Sequence, residues 1–278
     1  MSAVGARPER GSRVQERLGA VARSLVSALA GVVAVILLWM AFIRAFHFDP
    51  LVAKSPVEVW TYLSDGGSRF SRASQLWSAL GQTLLDAGFG YVAGLVAAVA
   101  VALSFVLSRS LESAFMPVAV TVRSVPLVAM TPLLTLIFGR GLLGTTVISG
   151  IVVFFPALVT VAFGLRSTPQ QAADLVRAFG GDGWAVARKV MVPSALPAVF
   201  AAARVAVPGA LVGAMLAEWL ATGKGIGYLM LSDTQNFDYD QLWSSVTVLT
   251  GVSVALYYTV GTLEAFVLAR FGPPAAGR

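Results

Sequence analysis

Residues 141–165 read GLLGTTVISGIVVFFPALVTVAFGL, a run without one charged side chain. A hydrocarbon core of about 30 Å is crossed by roughly 20 helical residues rising 1.5 Å each, so this run is long enough to span a bilayer. A membrane strand would alternate polar and apolar residues, which this run does not do, and in lipid a lone segment satisfies its backbone only as a helix. Five further runs reach comparable length, at 24–43, 87–107, 114–138, 194–222 and 241–263. Together the six predict an all-α, polytopic membrane protein with six transmembrane helices. The run 114–138 contains Arg123, and 194–222 contains Arg204 and Glu218; the other four are free of charge.

Composition agrees with that class. Of 278 residues, 57% are hydrophobic and 12% charged, where soluble proteins carry about 25% charge. Cysteine is absent, which excludes disulfides, thiolate metal sites and cysteine nucleophiles. The net charge of +6 flanks apolar runs instead of forming a nucleic-acid face, so the partner is membrane lipid and no nucleic acid is expected. With an N-terminal arm at 1–23 in the cytoplasm, six spans also place the tail 271–278 there. Twelve Lys and Arg residues then face the cytoplasm (Arg7, Arg10, Arg13, Arg17, Arg23, Arg109, Arg166, Arg177, Arg188, Lys189, Arg270, Arg278). Six face outward (Arg44, Lys54, Arg69, Arg72, Arg140, Lys224), the asymmetry expected of an inner-membrane protein. The first run is too long for the apolar core of a signal peptide and reads as an anchor.

Between the first two runs, an outer segment at 46–82 contains Ser55 and Pro56 as helix-start signals, with Trp60, Tyr62 and Trp77 expected at headgroup level. The cytoplasmic segment 166–193 is more informative, and its residues 168–193 read TPQQAADLVRAFGGDGWAVARKVMVP. A short helix is predicted from Pro169 to Gly180 and a second over 184–191, stopped by Pro193. Leu175, Val176, Phe179 and Trp184 are apolar residues with no bilayer to enter, so they pack together or fill a groove on another protein.

Here the sequence resembles the permeases of binding-protein-dependent ABC importers, marked by a loop with Glu-Ala-Ala, three residues, Gly, nine residues and Ile-x-Leu-Pro. Asp174 takes the Glu position, Gly180 the Gly, Val190 and Val192 the aliphatic positions and Pro193 the Pro, with Pro197 as a second proline. Leu175 and Val176 depart from the two alanines. The stretches from Lys54 to Trp60, from Arg123 through Ser124, Val125 and Pro126 to Pro132, and from Ala217 and Glu218 to Leu229 resemble the nitrate, sulfonate and taurine branch. The resemblance implies a type I ABC importer permease spanning 24–270, with the loop 166–193 coupled to cytoplasmic ABC ATPase subunits. It also implies a periplasmic or lipid-anchored solute-binding protein and a second permease copy, most simply in a homodimer. The chain itself is then a transport subunit without covalent chemistry, cofactor or metal. By the same resemblance the cargo is a small anion or zwitterion, the alternatives being a pyrimidine vitamin precursor or an aromatic acid.

Other motifs have plainer readings. Residues 139–146, GRGLLGTT, mimic part of a phosphate-binding loop but lack its lysine. The pairs Gly90/Gly94 and Gly209/Gly213 suit close helix packing, and His47 is a lone interfacial histidine beside Asp49. Arg123 and Arg204 fall at a similar depth, roughly 13 to 15 Å from the cytoplasmic ends of their runs. An arginine there costs at least about 2.5 kcal/mol unless it faces protein, water or an anion. Both therefore either glue helices through backbone carbonyls or, with Glu218, line the translocation pathway. Glu218 lies about 20 Å farther out than Arg204 along the same run, which suits a salt bridge to another helix or a place at the outer gate. A secondary transporter would show inverted repeats with paired helix interruptions, and an intramembrane enzyme a set of His, Cys, Asp or Glu at helical spacing. The sequence displays neither.

Overall fold

A computed structural model describes residues 30–64 and 70–271; the side chains at 70–73, 107, 123 and 271 lie outside the described set. The arm 1–23, the start of the first run and all but the first residue of the tail 271–278 therefore lie outside the described residues. The chain divides into two compact units, Met1–Ser64 and Asp65–Arg278.

In the first unit, helix α1 (Ala30–Phe46) is the apolar element and α2 (Pro56–Ser64) follows. Ser55 and Glu58 form a reciprocal capping box: the Ser55 amide donates to Glu58 Oε2 at 2.7 Å and the Glu58 amide to Ser55 Oγ at 3.3 Å. Pro56 opens the helix, where its missing N–H costs nothing. Trp60 is exposed, whereas Tyr62, expected at headgroup level, is buried.

The second unit is a bundle of α3 (Phe70–Leu107), α4 (Arg109–Arg123), α5 (Leu127–Phe138), α6 (Leu142–Arg166), α7 (Gln170–Ala178), α8 (Gly183–Val186), α9 (Val192–Ala217), α10 (Gly225–Gln235) and α11 (Tyr239–Phe271). Every regular element among the described residues is helical. Among the described residues, four helices are long and apolar enough to cross a membrane: Ser74–Val106, Leu142–Arg166, Gly183–Thr222 and Tyr239–Arg270. The α4–α5 pair makes a further span if its two halves are taken together.

Three departures from the sequence reading have physical causes. Helix α3 begins at Phe70 instead of near residue 87, shortening the outer segment, because Leu76, Leu80, Thr83 and Ala87 recur on one buried face at helical spacing. The run 114–138 is not one helix but two, bent by 106°. Pro126 bars Val125 from helical geometry and starts α5 afresh at φ −62°, ψ 110°. Pro193 does not stop a helix. Residues Ala187–Met191 form a π turn in which the Val192 amide reaches back to the Ala187 carbonyl, and α9 continues with proline in its first turn. The widened turn moves the preceding carbonyls off the pyrrolidine ring, so Gly183–Thr222 runs on as one apolar segment.

Helices α3 and α6 run parallel, and α9 runs antiparallel to both. Between α3 and α6, a Cβ on Gly90 would collide with Ser149 Cβ at 2.3 Å, and one on Gly94 with the Gly150 carbonyl oxygen at 2.5 Å. Between α6 and α9, a Cβ on Gly213 would meet Ser149 Cα at 2.6 Å and one on Gly164 would meet Ala198 Cβ at 2.2 Å. Lipid tails are as apolar as leucine, so helices in a bilayer gain by close backbone approach, and the interfaces are accordingly built on glycine and alanine. Ser149 adds a hydrogen bond across the seam, its Oγ donating to the Ala210 carbonyl at 2.8 Å.

Candidate functional site

The loop between α6 and α9 is a folded protrusion. Ser167 and Thr168 hydroxyls donate back to the Phe163 and Leu165 carbonyls, closing α6. Helix α7 starts after Pro169 and ends in a Schellman motif, with Gly180 at φ +81°, its amide donating to the Arg177 carbonyl and the Gly181 amide to the Val176 carbonyl, both at 2.9 Å. Glycine is required here because the left-handed conformation penalises a Cβ. Asp182 then caps α8, its Oδ1 accepting from the Ala185 amide at 2.8 Å.

This arrangement turns Leu175, Phe179 and Trp184 outward, with Phe179 85% exposed. Ala173, Val186 and Ala187 face inward, and half-buried Val176 turns toward Gly181. Asp174 is exposed and pairs with Arg177 at 3.0 Å. Behind α7 lies a cavity of about 670 Å³, walled in part by Arg109, Glu112, Arg166, Asp174 and Arg177. Pro193 and Pro197 belong to the opening turns of α9.

The ionisable residues at depth separate into different environments. Arg204 pairs with Glu264 of α11 at 2.7 Å, and its guanidinium carbon lies 5.5 Å from the centre of the Tyr257 ring. It joins α9 to α11 through a carboxylate, where the sequence led to an expectation of backbone carbonyls. The sequence reading missed Glu264 because it ended the last run at 263, one residue short of the charge. The demand of Arg204 for an acceptor was the available signal. The side chain of Arg123 lies outside the described residues.

Glu218 is fully buried in a second π turn, Glu218–Thr222. Its partners are neutral donors, not a cation on another helix. Glu218 Oε2 accepts from Thr83 Oγ1 of α3 at 3.0 Å and from the Gly227 amide at 2.9 Å, while the Ile226 amide donates to Thr83 Oγ1 at 2.8 Å. The carboxylate thus caps the N-terminus of α10 and ties α3, α9 and α10 together. A Cβ on Gly225 would lie 2.2 Å from its carboxyl carbon, which accounts for glycine beside it. The 139–146 motif is also structural: Gly139 has φ +82°, and a Cβ on Gly144 would meet the Gly139 carbonyl oxygen at 2.1 Å, as the tight α5–α6 turn demands.

At the end of the bundle away from α7, Asp233 on α10 is buried, with Oδ2 lacking a hydrogen-bond partner. Burial, reinforced by the nearby charge of Asp238, raises its carboxyl pKa to about 7.

A family model described as "Binding-protein-dependent transport system inner membrane component" matches residues 77–272, from α3 through α11. The chain belongs to this family. A probable ABC transporter permease protein of Haemophilus influenzae is 30% identical over 86% of this permease and 95% of its own length. A riboflavin transport system permease protein of Chloroflexus aurantiacus is 28% identical, over 91% and 94% respectively. Further relatives are named for formylaminopyrimidine, aliphatic sulfonate, taurine and nitrate transport. A solved structure of the MetNI methionine ABC transporter in inward-facing conformations shares the fold at a TM-score of 0.54 and 20% identity, over 75% of this permease and all of that chain. The permease is thus a multi-pass, all-helical membrane component of an ABC importer, and its family makes it a transport component instead of an enzyme.

Proposed function

We propose that the loop 166–193 is the docking site of a cytoplasmic ABC ATPase, and that the permease, paired with a second copy of itself, translocates a solute delivered by a binding protein. The observation that carries this reading is the outward display of Leu175, Phe179 and Trp184 on a capped, compact protrusion. Apolar side chains held outside a bilayer by a preformed scaffold suit a groove on a partner protein. Replacing the three with serine is expected to abolish co-purification of the cognate ATPase while leaving the thermal melt of the permease unchanged, since none of them is buried. Retention of the ATPase by the triple variant rules out the loop as its dock.

For cargo, a small anion or zwitterion of the nitrate, sulfonate or taurine kind agrees with the relatives named for those solutes. Of the alternatives, a pyrimidine vitamin precursor or an aromatic acid, one observation favours the pyrimidine: Glu264 neutralises Arg204, which removes one of the two positive charges an anion would use. Calorimetry on the cognate binding protein with taurine, nitrate, riboflavin and formylaminopyrimidine separates the two.

A further inference from the structure

Helix α4 is bounded at both ends by breaks. A single extended residue, Ser108 at φ −145° and ψ 107°, separates it from α3, and its hydroxyl caps the new helix by accepting from the Leu111 amide. At the far end come Ser124, Val125 and Pro126, and then the 106° turn into α5. One turn beyond Ser108 stands Glu112, only 7% exposed and ion-paired with Arg166, the last residue of α6 and the root of the loop 166–193. Of this pair only the carboxylate is shielded: the Glu112 side chain is 10% exposed and the Arg166 side chain 61%, so parting them leaves the desolvated charge on Glu112. Other ties of α4 to the bundle, Phe115 against Phe105, and Ala119 and Met116 in the core cluster that holds Ala162 and Leu165, are apolar and non-directional. They permit sliding where the ion pair does not.

We infer that α4 is a lever hinged at Ser108, its short arm pinned through Glu112 to Arg166, so that ATP-driven movement of the coupling loop swings the α4–α5 bend. Glu112 and Arg166 are positioning residues in this scheme. At 1.5 Å per residue the pin lies about 6 Å from the hinge and the bend about 24 Å, so a 1 Å displacement at Glu112 becomes about 4 Å at Ser124. The inference rests on the reading of 166–193 as the ATPase dock.

The protein has no cysteine, so cysteines at Ser124 and Thr160 can carry spin labels in the assembled complex with its ATPase. The Ser124–Thr160 distance is measured without nucleotide and after trapping with ATP and vanadate. The unaltered complex is expected to shift by several ångströms. In Glu112→Arg, which lies outside the loop 166–193, the shifted population falls at least about threefold while ATP hydrolysis continues; Arg166→Glu loses the shift as well, the double charge swap restores it, and the milder Glu112→Gln loses part of it. A full shift in either single reversal overturns the lever, as does a well-assembled double swap that stays unshifted. Failure of the unaltered permease to bind its ATPase overturns the docking reading beneath it instead, which hydrolysis and co-purification reveal separately.

Discussion

A guanidinium inside a helix bundle needs an acceptor, and Arg204 finds it in Glu264, with Tyr257 beneath. Both side chains are largely shielded, so removing one partner leaves the other charge desolvated, a loss of about 3 to 5 kcal/mol, whereas removing both charges is far milder. Arg204→Gln should therefore lower the melting temperature in detergent markedly, and Arg204→Gln with Glu264→Gln should recover most of it; equal melts for the two variants would remove the pair as a source of stability. Asp233 is the opposite case, an acid without a cation. Its carboxyl titrates near 7 in the fold, raised from 3.8 by burial and by Asp238. A raised carboxyl favours folding in its protonated form. Its contribution is complete below about 3.8 and is lost as pH rises through about 7. The melting temperature should rise as pH falls from 8 toward 5, and Asp233→Asn should flatten that rise; an unchanged profile in the variant would assign it to other groups.

At the level of helices, stability comes from backbones in near contact. Gly94 and Gly251 offer a controlled comparison, both being helical glycines on apolar elements. A Cβ at Gly94 meets the Gly150 carbonyl oxygen at 2.5 Å and Val153 Cβ at 2.9 Å, whereas one at Gly251 meets nothing. Gly94→Ala should cost about 1 to 3 kcal/mol by forcing α3 from α6, while Gly251→Ala should be neutral or slightly stabilising through helix propensity; equal melts would show that the α3–α6 seam yields freely. The Gly90/Gly94 and Gly209/Gly213 spacings were legible in the sequence because small residues four apart have few other uses in lipid. The stop at Gly180 and the start at Ser55 were legible because capping is local chemistry. The early start of α3 was hidden because polar residues at Gln75, Gln82 and Asp86 share its turns with the buried face. The helix through Pro193 was hidden because a π turn depends on how neighbouring helices hold the backbone, which no propensity records. The break at Pro126 was readable from the proline itself, but its apolar flanks let one long run pass for one helix.

Across the whole permease, the folded loop and the capped N-terminus of α10 stand at opposite ends of α9, and the distribution of charge decides which end meets the cytoplasm. The loop end carries Arg109, Arg166, Arg177, Arg188 and Lys189, against Arg140 and Lys224 in the turns at the other end. Positive residues in short loops are retained on the cytoplasmic side, so the loop should face the ATP-bearing compartment, as a dock for an ATPase must. The absence of cysteine makes this directly measurable. With an impermeant maleimide on intact cells, a cysteine at Thr61, exposed on α2, should react at once. One at Gln171, exposed on α7, should react only after the membrane is permeabilised. Both residues lie on exposed helix faces, so a failure to label cannot be blamed on burial. Reaction of the Gln171 site in intact cells would invert the topology, and an ATPase could then not reach Leu175, Phe179 or Trp184 at all.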